Sequence, residues 1–205
     1  MLGDRINVEL VRYTPDPVEA AGRAAGICWD KEEKEEYGAF IRRVVKKGHE
    51  SVIEHVSFTF RIEGVSRALT HQLVRHRIAS YSQRSQRYVD EGEFEYVMPP
   101  NVERDEEARK LFVDFMEKSK ELYDRLRGMG IRKQDARFVL PNACESKIVV
   151  TMNARSLRNF FHLRMARGAQ WEIRKLATKM FDLVHDVAPE LFEDLKEAAD
   201  LARKD

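Results

Sequence analysis

The sequence predicts an α+β (mixed α/β) fold: a single catalytic-sized domain, residues 1–205, with a central sheet flanked by helices. Three observations carry that expectation. Val56, Phe58, Phe60 and Ile62 alternate with Ser57, Thr59, Arg61 and Glu63, the period-two pattern of a half-buried strand. Residues 103–129 form a long amphipathic helical run. Strands and helices are mixed without regular βαβ alternation, and no Gly/Ser/Pro-rich linker, repeat or low-complexity tract divides the chain.

In chain order, Ile6 to Tyr13 reads as a strand, and 17–28 and 31–47 as helices. The second of these helices ends in Lys46, Lys47 and Gly48, a C-terminal signature. The alternating strand at 56–63 leads into a helix expected over 66–77, with a short strand at 93–97. The long helix 103–129 closes near Gly128 and Gly130. The β-branched run 147–152 is a strand. Helices are expected over 155–166, 170–187 and 189–202.

Composition narrows the function. The chain is 43% hydrophobic and 35% charged, with net charge +1. A sizeable core can therefore form, and non-specific nucleic-acid binding, which needs a surplus of Lys and Arg, is disfavoured. Cys28 and Cys144 are far apart and lack CxxC spacing, so neither a disulfide framework nor a cysteine-rich zinc site is expected. No apolar run reaches membrane-spanning length and no targeting pattern opens the chain, so a cytoplasmic protein is expected.

Three constellations stand out. In 75-RHRIASYSQRSQRY-88, arginine forks, serine hydroxyls and turn amides together suit a small anion. The alternatives are a solvated basic loop, a kinase target and an RNA-binding loop with aromatic stacking. At helical spacing Val65, Leu69, Gln72 and His76 share one face, which puts two polar side chains on an apolar stripe leading into the arginines. In 48-GHESVIEH-55, two histidines and two glutamates raise a metal reading, but a strand entry would point His49 and His55 to opposite faces, and no metal is expected. In 151–175, Asn153 is a capping position; Arg155, Asn159 and His162 lie on one helical face, and Arg164 about half a turn away.

Taken together, these residues resemble the flavin-dependent thymidylate synthase family. Its RHRxxSxxxxSxR signature is matched at Arg75, His76, Arg77, Ser80, Ser85 and Arg87. The resemblance extends through 24-AAGICWD-30, 48-GHES-51, 137-RFVLP-141, 153-NARSLRNF-160 and 169-AQWEIR-174. It implies conversion of dUMP to dTMP, with 5,10-methylenetetrahydrofolate as carbon donor and FAD, reduced by NADPH, carrying the hydride. It also implies a homotetramer with active sites built from several subunits.

By motif position the resemblance implies dUMP contacts from Gln72, Leu73, Val74 and Arg75, from Gln83, Arg84, Ser85, Gln86 and Arg87, and from Arg137 and Arg164. It implies FAD contacts from Ser51, Arg75, His76, Arg77, Gln83, Asn153, Ala154, Arg155 and Asn159. Arg164 and His49 are the implied catalytic pair: Arg164 favours ionisation at uracil N3, and His49 lies near the flavin and helps place folate or dUMP. Three positions depart from the family pattern. Gln83 stands where Glu is frequent, Cys28 where Ser or Thr is common, and Gly168 where His occurs. Ser85, next to Arg84 and Arg87, invites a nucleophile reading, but no general base is assignable and a dUMP ligand is expected. Two alternatives remain: an RNA-binding module using 75–88, and a nucleotide-binding relative without catalysis.

Overall fold

The structure is a computed structural model; it describes residues 5–28, 30 and 36–204. Four strands form one antiparallel sheet in the order β1-β2-β4-β3. They are β1 Asn7–Tyr13, β2 Ser57–Ser66, β3 Ala79–Gln83 and β4 Glu145–Asn153. β2 and β4 occupy the centre. Ser57 pairs with Asn153 and Ile62 with Ile148, and the register then slips before Val65 pairs with Ser146. Gly64 sits at that slip with φ 71°, and a Cβ there would meet the Arg5 carbonyl oxygen at 1.9 Å, so only glycine fits.

The alternation read from the sequence sets the faces. Phe58, Phe60 and Ile62 are buried, with Ile148, Val150 and Met152 beside them on β4. Helices cover this face. They are α1 Pro17–Ile27, α2 Tyr37–Lys46, α3 Arg67–Leu73, α7 Ala154–Arg164 and α8 Trp171–Val187. α8 packs on β1 and β2, and α7 on β4. Phe161 is the hub, edge-on to Phe181 at 5.6 Å and to Phe192 at 5.8 Å. The other face carries Thr59 and Thr151, whose hydroxyls hydrogen-bond at 3.0 Å.

A smaller core of Phe94, Met116 and Cys144 lies under the long helix α5, Glu106–Gly128. Asp105 caps α5 by accepting from the Ala108 N–H at 2.9 Å. That cap splits the run expected over 103–129, leaving α4, Pro100–Arg104, ahead of it. The short helix α6, Lys133–Ala136, follows.

Several other elements differ from expectation. The helix expected over 66–77 stops at Leu73, so His76 is placed by the turn after it rather than by helical spacing. The strand expected at 93–97 is a single bridge, Tyr96 to Cys144. The helix expected over 189–202 is two 3-10 turns, Pro189–Leu191 and Glu193–Leu195, followed by α9, Lys196–Ala202. Residues 48–55 are not a strand entry, because Glu50–His55 form a 3-10 helix. Of the helix expected over 31–47, residues 31–35 lie outside the described residues, as does Trp29 of the 24–30 segment. β3 is the strand the sequence reading missed. Ala79, Tyr81 and Gln83 turn inward while Ser80 and Ser82 are exposed, and Ser80 pairs with Thr151 on β4.

Candidate active site

The site is built where α3, β3 and α7 converge. Ser66 opens α3: its hydroxyl oxygen accepts from the Leu69 N–H at 3.0 Å. The Glu172 carboxylate clamps the same residue, accepting from the Ser66 N–H at 2.7 Å and the Ser66 hydroxyl at 2.6 Å. Glu172 is 1% exposed and burial pushes its carboxyl up, against the pull of those hydrogen bonds. The start of α3 is thereby tied to the start of α8.

After Leu73 the chain turns, and Tyr81 of β3 holds the turn. Its hydroxyl lies 2.8 Å from the Leu73 carbonyl and 3.0 Å from the His76 carbonyl, and donates toward both. Burial raises the phenol to about 12, so it stays a donor. The turn delivers His76 to the interior at 6% exposure, edge-on to Phe160 at 4.9 Å. Arg164, at the end of α7, donates its Nε–H to His76 Nε2 at 2.9 Å. Burial and the Arg164 charge pull His76 down to about 4. His76 is therefore neutral at neutral pH, accepting at Nε2 and carrying its proton on Nδ1. The terminal nitrogens of Arg164 have no partner among the described residues.

Arg75 and Arg77, which flank His76, are exposed. Arg77 donates to the Val74 carbonyl at 2.9 Å, whereas Arg75 has no partner among the described residues. The Ile78 N–H donates to the Ser156 hydroxyl at 3.1 Å, fastening the turn to the first turn of α7. There Asn153 Oδ1 accepts from the Ser156 N–H at 2.8 Å, and exposed Arg155 pairs with Glu54. Asn159 and His162 are exposed further along, while Ala154 is buried with its N–H given to the Val56 carbonyl at 2.8 Å.

The 83–87 stretch is a strand end followed by a turn. Gln83 donates its amide nitrogen to Thr70 Oγ1 at 2.9 Å and to Ser146 Oγ at 3.1 Å. Ser85 Oγ accepts from the Arg87 N–H at 3.3 Å, and its carbonyl accepts from the Tyr88 and Val89 N–H groups. No histidine or carboxylate is bonded to the Ser85 hydroxyl among the described residues, so it shapes a turn. Arg84 lies 3.5 Å from the Glu91 carboxylate. Arg87 lies over the Tyr88 ring, 5.3 Å from its centroid. Gln86 is 7% exposed.

The structure brings His76, Arg164, Arg75, Arg77, Asn153 and Arg155 around one turn, with 83–87 at the far end of β3. Leu73 is fully buried with its carbonyl bonded to Tyr81, so its side chain is packing. Gln72 and Val74 are half-buried on either side. His49 and Ser51 are exposed where the 3-10 helix Glu50–His55 begins. Clefts of ≈ 470 and ≈ 950 Å³ open elsewhere, and no predicted site residue lines them.

Sequence reasoning missed Arg158, which is 7% exposed. Its Nε donates to Glu50 at 2.8 Å, and its terminal nitrogens donate to the Asp194 carboxylate and the Leu191 carbonyl at 2.7 Å each. The signal was available: Arg158 falls on the same helical face as Phe161, three residues on.

Comparisons with known proteins identify the family. The family described as thymidylate synthase complementing protein matches residues 9–190. The chain is 47% identical to the flavin-dependent thymidylate synthase of Clostridium tetani, over 92% of this chain and 86% of that protein. It is 49% identical to that of Nitratidesulfovibrio vulgaris, over 90% and 84%. Among solved structures, thymidylate synthase X from Helicobacter pylori with FAD and dUMP superposes with a TM-score of 0.77 at 30% identity, covering 92% of this chain and 98% of that one. Matched by that family over residues 9–190 and by these relatives at 47–49% identity over nine-tenths of its length, the chain belongs to the flavin-dependent thymidylate synthase family.

Proposed function

We propose that this chain converts dUMP to dTMP, taking the carbon from 5,10-methylenetetrahydrofolate and releasing tetrahydrofolate. One observation carries the assignment of roles. Arg164 is anchored by one edge, through Nε to neutral His76, and presents its other edge without a partner among the described residues. A guanidinium so fixed is a preorganised fork for the N3–O2 edge of a uracil. It stabilises the anion that makes C5 nucleophilic. C5 attacks the methylene carbon, the carbon–nitrogen bond to folate breaks, and the C5 proton departs.

The residues also fit FAD. A dinucleotide diphosphate requires exposed cations and free amides, and Arg75, Arg77 and Arg155 stand exposed around the N-terminus of the 11-residue helix α7. Ser51, Asn153 and Asn159 offer polar contacts beside them. When bound, FAD reduced by NADPH supplies the hydride that turns the methylene into a methyl group. His49 helps place folate or dUMP, and Gln72, Arg75, Arg137 and the 83–87 turn hold the nucleotide. Gln83 contributes through its amide oxygen or backbone, since its nitrogen is already donated inward.

The assembly that suits this site is a homotetramer of one-domain chains with shared active sites. Ile78 is 79% exposed, Tyr88 71% and Phe138 83%, apolar surface close to the site residues in the chain. A cytoplasmic location suits the unpaired Cys28 and Cys144. Among the described residues no helix is long and apolar enough to cross a membrane.

The experiment is direct. Purified protein carries a flavin absorbance that bleaches under NADPH, and releases tritium from dUMP labelled at C5 when folate is added. A colourless protein that takes up no FAD and binds RNA with a steep salt slope overturns the proposal. Colour without tritium release leaves only the nucleotide-binding reading.

A further inference from the structure

Four ionisable side chains gather behind the 83–87 turn. Glu91 is 2% exposed. Its Oε1 lies 3.5 Å from Arg84 Nε, and its Oε2 is buried without a hydrogen-bond partner among the described residues. Its backbone N–H donates to the Tyr123 hydroxyl at 3.2 Å, which fixes it in place. Arg67, at the start of α3, is held below its ordinary pKa by burial and then by the charge of Arg137, and Glu91 opposes that shift. Arg137 donates Nε to the Gln134 carbonyl at 3.2 Å, keeping its terminal nitrogens for other partners.

Glu145 also lies within reach of the Arg84 charge, and burial pushes its carboxyl up. Asp90 is already met by Arg127 and Lys133, each at 3.6 Å. The Cys144 thiol is pushed up to about 12 by burial and by Glu91, and is neutral. Burial pushes the Glu91 carboxyl above its ordinary 4.5, and Arg84 and Arg67 pull it back down. Among these four side chains three guanidiniums outnumber one carboxylate, an excess of positive charge that complements a phosphate dianion. Glu91 leaves one oxygen bare of hydrogen bonds, which suits a charge-setting group better than a strut.

We propose that Glu91 is a specificity-determining positioning residue. Its carboxylate holds the Arg67–Arg84–Arg137 cluster at a charge that matches a nucleoside monophosphate and disfavours the more highly charged diphosphate. The inference rests on the dUMP reading above. Removing a buried negative charge strengthens the pull on every anion, and more so on the anion that carries more charge. Any loss of placement affects both nucleotides alike, so the ratio of their affinities isolates the electrostatic role.

The test measures dissociation constants of dUMP and dUDP by calorimetry on FAD-loaded enzyme. Wild type favours dUMP. Glu91→Gln shifts the ratio roughly tenfold toward dUDP. Glu91→Asp restores the charge and keeps the wild-type ratio even where both affinities fall. Arg84→Met, at a partly exposed side chain, removes a cation and moves the ratio the opposite way, and decides the matter if the Gln variant does not fold. An unchanged ratio in Glu91→Gln, or a shift of the same sign in Arg84→Met, overturns the role of Glu91. Wild-type enzyme that binds no dUMP overturns the function itself.

Discussion

Arg164 donates to His76 rather than to a carboxylate: Nε and Nε2 stand 2.9 Å apart, and His76 is 6% exposed. A cation bonded to a neutral ring keeps its charge for the substrate, and no carboxylate pairs with Arg164 among the described residues. The same bond fixes the ring's tautomer, with the proton on Nδ1.

That pairing sets a pH dependence. The folded pKa of His76 is about 4, below the ordinary value of 6.5, so the unfolded chain takes up a proton first as pH falls. The stabilisation is fully present above pH 6.5 and is lost as pH drops to about 4. An NMR titration of His76 therefore shows a neutral ring down to pH 5. A midpoint at or above 6.5 contradicts the geometry.

Arg164→Met removes the uracil fork and the like charge beside His76. Turnover of dUMP falls by about a hundredfold or more, the cost of losing one preorganised charged donor. The His76 midpoint rises only modestly, because burial is the larger cause of its depression. Steady-state kinetics and the same titration check both effects. Full activity in the variant removes Arg164 from the chemistry.

Much of this was legible in the sequence. Alternation at 56–63 gave β2 and its buried face, because one side of that strand meets the core and the other does not. The signature residues were legible as letters, and Arg155 and Arg164 do fall on different sides of α7: one pairs outward with Glu54, the other inward with His76. The end of α3 was not legible. Helical spacing carries His76 onto the Leu69 face, but the tertiary bonds from Tyr81 to Leu73 and His76 win over local propensity. β3 was hidden because its inward residues, Ala79, Tyr81 and Gln83, do not form an apolar row. Glu91 gave no local cue, its partner Arg84 lying 7 positions away, and Arg158 was marked only by its place on the Phe161 face, its partners lying 33, 36 and 108 positions away.

Arg75 separates binding from folding. It is exposed and has no partner among the described residues, so Arg75→Ala leaves the melting temperature within about a degree of wild type. Nucleotide or flavin affinity drops by roughly tenfold or more, as for loss of a charged hydrogen bond. Thermal melts and flavin titration read the two effects apart. A destabilised variant with normal affinity contradicts the assignment.

Cys144 and Ser85 are tested as nucleophiles by removal. The Cys144 thiol is fully buried and pushed up to about 12, so it is not a thiolate at neutral pH. Cys144→Ala retains synthase activity, and iodoacetamide labels exposed Cys28 but not Cys144 in the native protein. Ser85→Ala loses one turn bond, from the Arg87 N–H, and keeps measurable turnover with weakened dUMP binding. Abolished turnover with intact dUMP binding restores Ser85 as a nucleophile.

Arg158 joins three segments: α7, the 3-10 helix carrying Ser51 after His49, and the Glu193–Leu195 turn. Truncation to Ala leaves the Leu191 carbonyl without its donor and the partly exposed Glu50 and Asp194 carboxylates to solvent, costing about 1.5–3 kcal/mol, the range for losing charged hydrogen bonds. Urea unfolding measures it. The Arg158 hydrogen bond holds the Asp194 carboxyl below its ordinary 3.8, so in wild type this contribution is fully present above that pH and fades as acid protonates Asp194. The gap in stability between wild type and Arg158→Ala therefore narrows as acid protonates Asp194 below its ordinary 3.8, while the bond to the Leu191 carbonyl does not titrate. Arg158→Lys keeps the charge but not the planar fork that reaches Asp194 through two nitrogens, and recovers only part of the loss. Because the same bond pins Glu50 between His49 and Ser51, the Ala variant also raises KM for the folate or for dUMP. A stability loss without that kinetic change leaves Arg158 as a fastening of the C-terminal segment alone.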